Sequence, residues 1–225
     1  RGTTGAAGTL RSMSRPSDPR LLVLHGLRLK GVAPVDGLAD ATGLTVTDVG
    51  SLLGALEAEG LVLHRTGALT GWALTPAGRA ELARLLAAEV DRSGVHGTVS
   101  GAYDRFRRLN VAVLDACSRW QVRDVDGRPV LNDHRDPNYD AAVVADLVGL
   151  QRRAEPVCDD LAGALARYQP YGPRLRHAVD RVEAGERDWF TKPLMASYHT
   201  VWFELHEDLL ATLGLMPMAL LMMAA

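Results

Sequence analysis

The chain has 225 residues, of which 47% are hydrophobic and 23% are charged, and its formal net charge is −2. This length accommodates one large domain or two small ones, and the composition is that of an ordinary globular protein, which excludes a disordered or fibrous chain. With this net charge, the chain lacks the excess of Lys and Arg that is typical of proteins that bind nucleic acid through charge alone. Cys117 and Cys158 are isolated, which fits buried thiols in a reducing compartment better than a disulfide framework.

The two ends of the sequence do not indicate export or a membrane anchor. Residues 1–18 are interpreted as a flexible leader, and they lack the apolar segment of a signal peptide. Residues 216–225 form an apolar tail that is much shorter than the roughly 20 residues needed to span a bilayer. We therefore expect a cytoplasmic protein that makes no membrane contact.

A first helix is predicted to begin at Asp18-Pro19, because Asp caps free backbone N–H groups and Pro suits the first helical turn. The leucine spacing continues the helix to about Lys30, with the leucines facing inward. His25 and Arg28 lie off this apolar face and are expected to point elsewhere.

Residues 34–42 and 45–60 predict two short helices that form a helix-turn-helix. Ala39 is small enough for the helices to cross closely, and Gly43 accepts the positive φ of the turn between them. Thr45 to Asp48 resembles a capping box at the start of the second of these helices, and Val49 begins its buried face. The sequence therefore predicts a helix that packs on the rest of the unit through one face and is exposed on the other.

A β-hairpin and another helix follow. Residues 61–65 and 72–74 predict two strands around a turn at 66–71 that contains two glycines. Thr75-Pro76 then predicts the cap of a helix that continues to about Arg92.

The order of three helices and a hairpin, closed by the sequence Leu74-Thr75-Pro76-Ala77-Gly78-Arg79, resembles the winged helix-turn-helix family in its MarR/PadR-like branch of bacterial regulators. The resemblance covers about residues 19–92 and implies three helices plus a β-hairpin wing. It also implies that the helix at 45–60 enters the DNA major groove, while the wing contacts the backbone or the minor groove. Carried onto this sequence, the DNA-binding residues are Thr45, Thr47, Ser51, His64, Arg65, Thr70, Arg28 and Arg79.

The charge of this region departs from the family pattern. The helix at 45–60 contains no Lys or Arg, and residues 19–92 hold seven basic and eight acidic side chains. Because each neutralised phosphate contributes to affinity, we expect weak binding by a monomer and a requirement for a homodimer. A winged helix retained for protein interaction or dimerisation, without DNA binding and with an enzyme as partner, stays open as the alternative. Gly50 and Gly54 lie inside this helix, where they either allow a partner to approach closely or, equally, reflect only the glycine-rich composition of the chain.

The remaining chain predicts a helical domain. A joint at 93–97 leads to a long helix at 98–122, and a polar loop occupies 123–138. A helix at 139–168, which Pro156 should kink or divide, precedes a helix that ends near Gly185 and another after Pro193. No strand is predicted after residue 92. The predicted fold is thus mainly α, with a leader at 1–18, a winged helix-turn-helix at 19–92, a helical dimerisation and effector domain at 93–215, and a tail at 216–225.

Several aromatic and histidine residues of the helical domain predict a pocket for a small-molecule effector. His199, Phe203 and His206 share one helical face by their spacing. A metal site that uses the histidines is a weaker interpretation, and a helical core or dimer interface is the structural alternative. No catalytic motif is present, so neither an enzyme nor a bound cofactor or metal is expected. The pocket residues are Trp120, His134, Met195, Tyr198, His199, Trp202 and His206.

These patterns together predict a cytoplasmic transcriptional regulator that binds double-stranded DNA as a homodimer. The long C-terminal helices would pair two subunits and set the distance between two recognition helices. An effector in the helical domain would change that distance and, with it, the affinity for DNA.

Overall fold

A computed structural model describes residues 14–67 and 69–215, which form mostly α-helix and two small antiparallel sheets. The N-terminal part contains, in chain order, α1 (Pro19–Lys30), β1 (Val32–Ala33), α2 (Val35–Thr42), α3 (Val46–Ala58), β2 (Val62–Arg65), β3 (Gly71–Leu74) and α4 (Pro76–Ser93). The C-terminal part contains α5 (His96–Gln121), β4 (Val122–Val125), β5 (Arg128–Leu131), α6 (Pro137–Ala164), a short 3-10 turn (Ala166–Tyr168), α7 (Tyr171–Glu183), α8 (Asp188–Thr191) and α9 (Tyr198–Thr212). The mainly helical fold predicted from the sequence is confirmed.

Helices α1, α3 and α4 begin at side-chain caps that the sequence predicts. An oxygen of Asp18 accepts a hydrogen bond from the backbone N–H of Arg20 at 2.8 Å. The hydroxyls of Thr45 and Thr75 accept from backbone N–H groups of the first turns of α3 and α4, at 3.1 and 3.0 Å. Because each cap satisfies an N–H group that has no partner within its helix, the starts of these helices are fixed locally.

The N-terminal sheet has three strands in the order β1-β3-β2, all antiparallel. The sequence predicts the β2–β3 hairpin but not β1, which has only two residues and pairs Val32 with Ala73. Gly71 at the start of β3 has a φ of 147°, and a Cβ there would lie 2.7 Å from the carbonyl oxygen of Ala33. Glycine therefore allows the close approach of β3 to β1.

A second close approach fixes α4 against the hairpin. A Cβ on Gly78 would lie 1.9 Å from the carbonyl oxygen of Leu61. The hydroxyl of Thr75 also donates a hydrogen bond to the carbonyl oxygen of Gly60 at 2.8 Å. The glycine in the sequence 74–79 therefore allows helix and strand backbones to touch at the base of the hairpin.

The two parts of the chain have separate hydrophobic cores. Helices α1 to α4 and the three-stranded sheet bury one core, which we call the N-terminal unit. Helices α5 to α9 bury the other, which we call the helical unit and which includes the fully buried rings of Phe106, Tyr198 and Trp202. Only Gly94 and Val95 connect α4 to α5, within the joint predicted at 93–97.

One prediction for the helical unit is wrong, and one of the two effects predicted for Pro156 does not occur. The polar loop predicted at 123–138 contains strands β4 and β5, so a hairpin does occur after residue 92. Its turn places Asp126 and Gly127 at φ values of 54° and 77°, as a tight hairpin turn with Asp-Gly requires. Helix α6 is not divided at Pro156 but continues from Pro137 to Ala164.

The ends of the chain are only partly described. Within the predicted leader, Arg15 accepts a hydrogen bond from the backbone N–H of Ala166 at 3.0 Å and donates one to the carbonyl of Arg92 at 2.9 Å. Residues 1–13 and the predicted tail at 216–225 lie outside the described residues. Within 14–67 and 69–215, no helix combines the length and apolar character needed to cross a bilayer.

Candidate functional site

Helix α3 has one packed face and one open face. Val49, Leu53 and Leu56 are fully buried, where α3 packs on α1, α2 and β2. The opposite face, which includes the predicted DNA-binding residues Thr47 and Ser51, is exposed. This open face, together with the β2–β3 hairpin and the first turn of α4, is called the α3 face below.

The hydroxyl groups on the α3 face hydrogen-bond within the chain. Thr45 Oγ1 donates to Asp48 Oδ2 at 2.7 Å, and Ser51 Oγ donates to the carbonyl oxygen of Thr47 at 3.0 Å. In the hairpin turn, Thr70 Oγ1 donates to the carbonyl oxygen of Gly67 at 3.1 Å. A contact from these hydroxyls to a phosphate would first require them to leave these partners.

The hairpin presents one aromatic pair and one arginine. The rings of His64 and Trp72 meet edge to face with their centroids 5.1 Å apart, which orients the exposed His64. Arg65 is exposed at the end of β2, and Arg79 is exposed in the first turn of α4, beside Gly78 at the base of the hairpin. The predicted residues Arg65 and Arg79 thus supply the positive charge of the α3 face.

The negative charge of one acidic side chain near α3 is compensated by an arginine. Glu59, directly after the helix, accepts hydrogen bonds from both terminal nitrogens of Arg20, each at 2.6 Å, and these bonds lower its pKa. Asp48 keeps the hydrogen bond from Thr45, and Glu57 is exposed. The electrostatic penalty for an approaching phosphate is therefore smaller than the count of acidic side chains suggests.

Arg28, a predicted DNA contact, instead faces the helical unit. Its side chain is about a quarter exposed, and Nη2 lies 3.5 Å from Glu207 Oε2 of α9. Its charge is paired inside the chain, so Arg28 is not included in the α3 face.

A buried cluster of charged side chains, which the sequence analysis missed, joins the two units. The guanidinium of Arg167 in the 3-10 turn is only 3% exposed and lies between Glu89 of α4 and Asp208 of α9. Its Nε is 3.1 Å from Glu89 Oε2, its Nη1 donates to Asp208 Oδ1, and its Nη2 donates to the hydroxyl of Thr212 at 2.7 Å. We call Glu89, Arg167 and Asp208, with the side chains that contact them, the junction cluster.

Asp208 also connects α1 and α7 to the junction cluster. Its Oδ2 lies 3.0 Å from Nε2 of His25 and accepts a hydrogen bond from the hydroxyl of Tyr171 at 3.0 Å. Burial alone would raise the pKa of Asp208, but the charge of Arg167 and the contacts from His25 outweigh it and lower this pKa. His25 lies off the leucine face of α1, as expected, but it is only 4% exposed because it is buried against Asp208 of the helical unit.

A cavity of about 520 Å³ opens beside the junction cluster, between the two units. Its walls come from α1, from the end of α2, and from the 3-10 turn, α7 and α9. Four members of the junction cluster line it, namely His25, Arg167, Tyr171 and Asp208. A molecule bound here would contact both units at once.

The residues predicted for an effector pocket are divided between two places. Tyr198 and Trp202 are core residues, stacked with their ring centroids 6.0 Å apart, and His206 stacks on Phe106 at 5.3 Å. His199 on the same helix is half-buried, and burial lowers the pKa of both histidines. Met195, also half-buried, precedes this helix.

Trp120 and His134 instead lie together, with ring centroids 4.5 Å apart. His134 Nδ1 is 3.0 Å from Asp140 Oδ2, and Asn132 donates to Asp140 Oδ1 at 2.9 Å, so the segment that contains both residues folds onto Trp120. Trp120 and Asp140 line a second cavity of about 590 Å³. The stacked rings of α9 are thus core, as the structural alternative proposed.

The structure also bears on the metal interpretation of the histidines. In the part of the chain that the structure describes, no three His, Cys, Asp or Glu side chains are grouped as metal ligands. His134 is used by Asp140 and Trp120, and His206 by Phe106.

Comparisons of the chain with family models, curated proteins and solved structures find no significant match. The members of the junction cluster are dispersed from residue 25 to residue 212, so no local motif could reveal them. The sequence feature that could have revealed the junction cluster is a polar residue on an otherwise apolar helical face, such as Asp208 in α9.

Proposed function

We propose that this protein is a DNA-binding regulator in which the N-terminal unit acts as a winged helix and the chain works as a homodimer. The single observation that carries the proposal is the open face of α3, which is exposed beside the hairpin while its opposite face packs on α1, α2 and β2. In this arrangement α3 lies in the major groove, and the β2–β3 hairpin contacts the backbone or the minor groove.

The contacts follow from the composition of the α3 face. Arg65 and Arg79 neutralise phosphates, and the first-turn amides of α3 add a partial positive charge at its N-terminus. Gly50 and Gly54 are exposed, and a Cβ at either position would meet no atom within 4 Å. Because these residues have no side chain, the wall of a DNA groove can approach the helix backbone closely there. Side-chain hydroxyls of Thr47 and Ser51 lie on the same surface.

Two arginines per subunit give four phosphate contacts in a dimer. Counterion release then gives a slope of about −4 in a plot of log affinity against log salt, which is modest for a DNA-binding protein. Specific binding therefore depends on both subunits engaging half-sites, with recognition helices about 34 Å apart.

The junction cluster supports this function by holding the N-terminal unit on the helical unit. Glu89 and His25 belong to the first unit, and Arg167 and Asp208 belong to the second. The ion pairs of the junction cluster are buried, so they tolerate little displacement. We therefore expect the N-terminal unit, which contains α3, to move together with the helical unit. A small molecule in the 520 Å³ cavity would regulate binding by favouring one angle between the units.

The test is binding to duplex DNA, selected from a random 30-base-pair library and measured by fluorescence polarisation over a series of salt concentrations. Arg65→Ala should weaken binding and reduce the salt slope of a dimer by about 2, because one phosphate contact is lost per subunit. Arg152→Ala, which removes an exposed arginine of α6, is the matched control and should change neither quantity. Unchanged binding by Arg65→Ala would overturn the proposed contact.

A second function, a protein-docking surface, is favoured by one specific observation. Val46, Leu63 and Leu69 are 56%, 42% and 69% exposed on or beside the α3 face. Apolar side chains of this kind suit a protein partner better than a phosphate backbone. Failure to select any duplex, together with loss of a captured partner in Leu63→Ser and Leu69→Ser, would favour this alternative.

A further inference from the structure

A second open surface lies on α5, in the helical unit. Seven exposed residues follow one another at intervals of one or three positions along its outer side, on one continuous stripe. The centre of this stripe is apolar, since Val111 is 73% exposed and Leu114 is 45% exposed. The α5 stripe consists of Asp104, Arg107, Arg108, Val111, Leu114, Asp115 and Ser118.

Helix α9 packs beside α5 near the centre of the stripe. The indole Nε1 of Trp202 donates to Asn110 Oδ1 at 2.8 Å, which brings α9 alongside α5 at the residue before Val111. Phe203 follows Trp202 and is 56% exposed. The helix that packs beside α5 thus also has an exposed aromatic ring, a residue type that is enriched in protein interfaces.

The charges of the stripe are self-complementary about Val111. Arg107 and Arg108 lie about one turn before this residue, and Asp115 lies one turn after it. If a second α5 crosses the first in the opposite direction at Val111, Arg107 of each copy faces Asp115 of the other. A parallel crossing would instead set arginine against arginine and aspartate against aspartate, which is repulsive.

Both partners of this ion pair are open to a second chain. Arg107 is exposed, and its guanidinium lies 5.8 Å from the ring centre of Tyr103. Asp115 accepts one hydrogen bond from Arg119, through Oδ2 at 2.8 Å, and its side chain remains 61% exposed. An arginine from a second copy can therefore reach this carboxylate without displacing Arg119.

We propose that the α5 stripe is the homodimer interface, occupied by α5 of a second copy that crosses antiparallel on a two-fold axis at Val111. The inference rests on the homodimer of the proposed function and names its surface. Such an interface is isologous, so each residue on the axis meets its own copy. Val111 meets Val111, and Leu114 of each copy packs near Arg108 of the other, whose aliphatic part covers it.

The test is disulfide cross-linking of Val111→Cys in the full chain, with Ser118→Cys as the matched control. Both positions are exposed on the stripe, but only residue 111 is on the axis. Seven residues of helix rise about 10 Å, so two Ser118 positions in an antiparallel pair are about 21 Å apart. This separation is far beyond the reach of a disulfide.

The two native cysteines do not interfere. Burial raises the pKa of both Cys117 and Cys158 to about 12, so these thiols stay protonated and the unmodified chain serves as the unreactive reference. Mild oxidation should convert Val111→Cys to a covalent dimer and leave Ser118→Cys monomeric on a denaturing gel. Cross-linking of both variants would indicate a parallel pair, and cross-linking of neither a different surface; each result would overturn the proposal.

A charge exchange tests the register independently. Arg107→Asp and Asp115→Arg should each raise the dimer dissociation constant by about tenfold or more in analytical ultracentrifugation, because each sets like charges opposite one another. The double variant should restore it, and a double variant as weak as either single one would overturn the antiparallel register. Both tests are made without DNA, so the polarisation assay with Arg65→Ala can fail while the interface stands, and the reverse.

Discussion

The N-terminal unit has two unlike surfaces. On the α3 face the polar groups are exposed, and most of them bond to their own helix or turn, as Thr45 and Ser51 do. On the opposite side, His25 and Glu89 enter a dry cluster with Arg167 and Asp208. The attached surface therefore contains buried, mutually paired charges, whereas the open surface contains few charged side chains.

The largest effect is expected at the attached surface. Arg167→Ala would leave Glu89 and Asp208 buried without their guanidinium partner, and removing one member of a buried charge cluster lowers the free energy of unfolding by about 3–5 kcal/mol. Urea unfolding at pH 7 measures this change. Arg152→Ala, at an exposed arginine, should change it by less than about 0.5 kcal/mol.

Equal midpoints for Arg167→Ala and Arg152→Ala would contradict the contrast between the two surfaces. Such a result would mean that the junction cluster contributes no more to the free energy of unfolding than an exposed arginine does.

A smaller effect concerns the pH dependence of the same cluster. The pKa of Asp208 is lowered in the folded protein, whereas an unfolded Asp titrates near 3.9. The stabilisation is therefore complete above about pH 5 and is lost as the pH falls through the unfolded and then the folded pKa. The difference in free energy of unfolding between the native chain and Asp208→Asn should shrink from pH 7 to pH 3.

Asp146→Asn provides the control for this titration. Asp146 pairs with Arg119 at 2.8 Å, but its side chain is 57% exposed. Its substitution should leave the acid dependence almost unchanged, because exposed ion pairs contribute little. A pH-independent difference for Asp208→Asn would show that this carboxylate is not ionised in the fold.

The smallest effect is expected at the open surface. Gly50→Ala and Gly54→Ala should each raise the free energy of unfolding by about 1 kcal/mol, since alanine favours the helix and its Cβ meets no atom within 4 Å. The same variants should weaken duplex binding if a groove wall lies against these positions. Stabilisation with unchanged duplex binding would favour glycine-rich composition as the reason for these residues.

The sequence predicts elements well where the signal is local. The caps at Asp18, Thr45 and Thr75 and the turn at Gly43 lie within a few residues of the helices that they begin or end. Strand β1 has two residues and is stabilised by its partner, so its own sequence contains little strand signal. The β4–β5 hairpin was missed because its strands are mostly exposed, although Asp126-Gly127 is a strong turn signal.

The candidate site was predictable only in part, for the same reason. Exposed positions on α3 follow from helical periodicity once the buried face begins at Val49. The pairing of Arg28 with Glu207 and of His25 with Asp208 depends on how α9 packs against α1, across more than 170 residues of chain. Charge pairing between distant elements has no spacing rule, so a sequence identifies the residues but not their partners.

The proposed function is tested most directly by hydroxyl-radical footprinting of the protein with and without its selected duplex. Side-chain oxidation should fall at Leu63, His64 and Leu69 of the hairpin and at Val46 of α3. Oxidation at Leu131 of β5, which is 81% exposed in the helical unit and outside the α5 stripe, should be the same with and without DNA. Protection at Leu131 with unchanged oxidation of the hairpin would contradict the proposed function, because the duplex would then lie away from the α3 face.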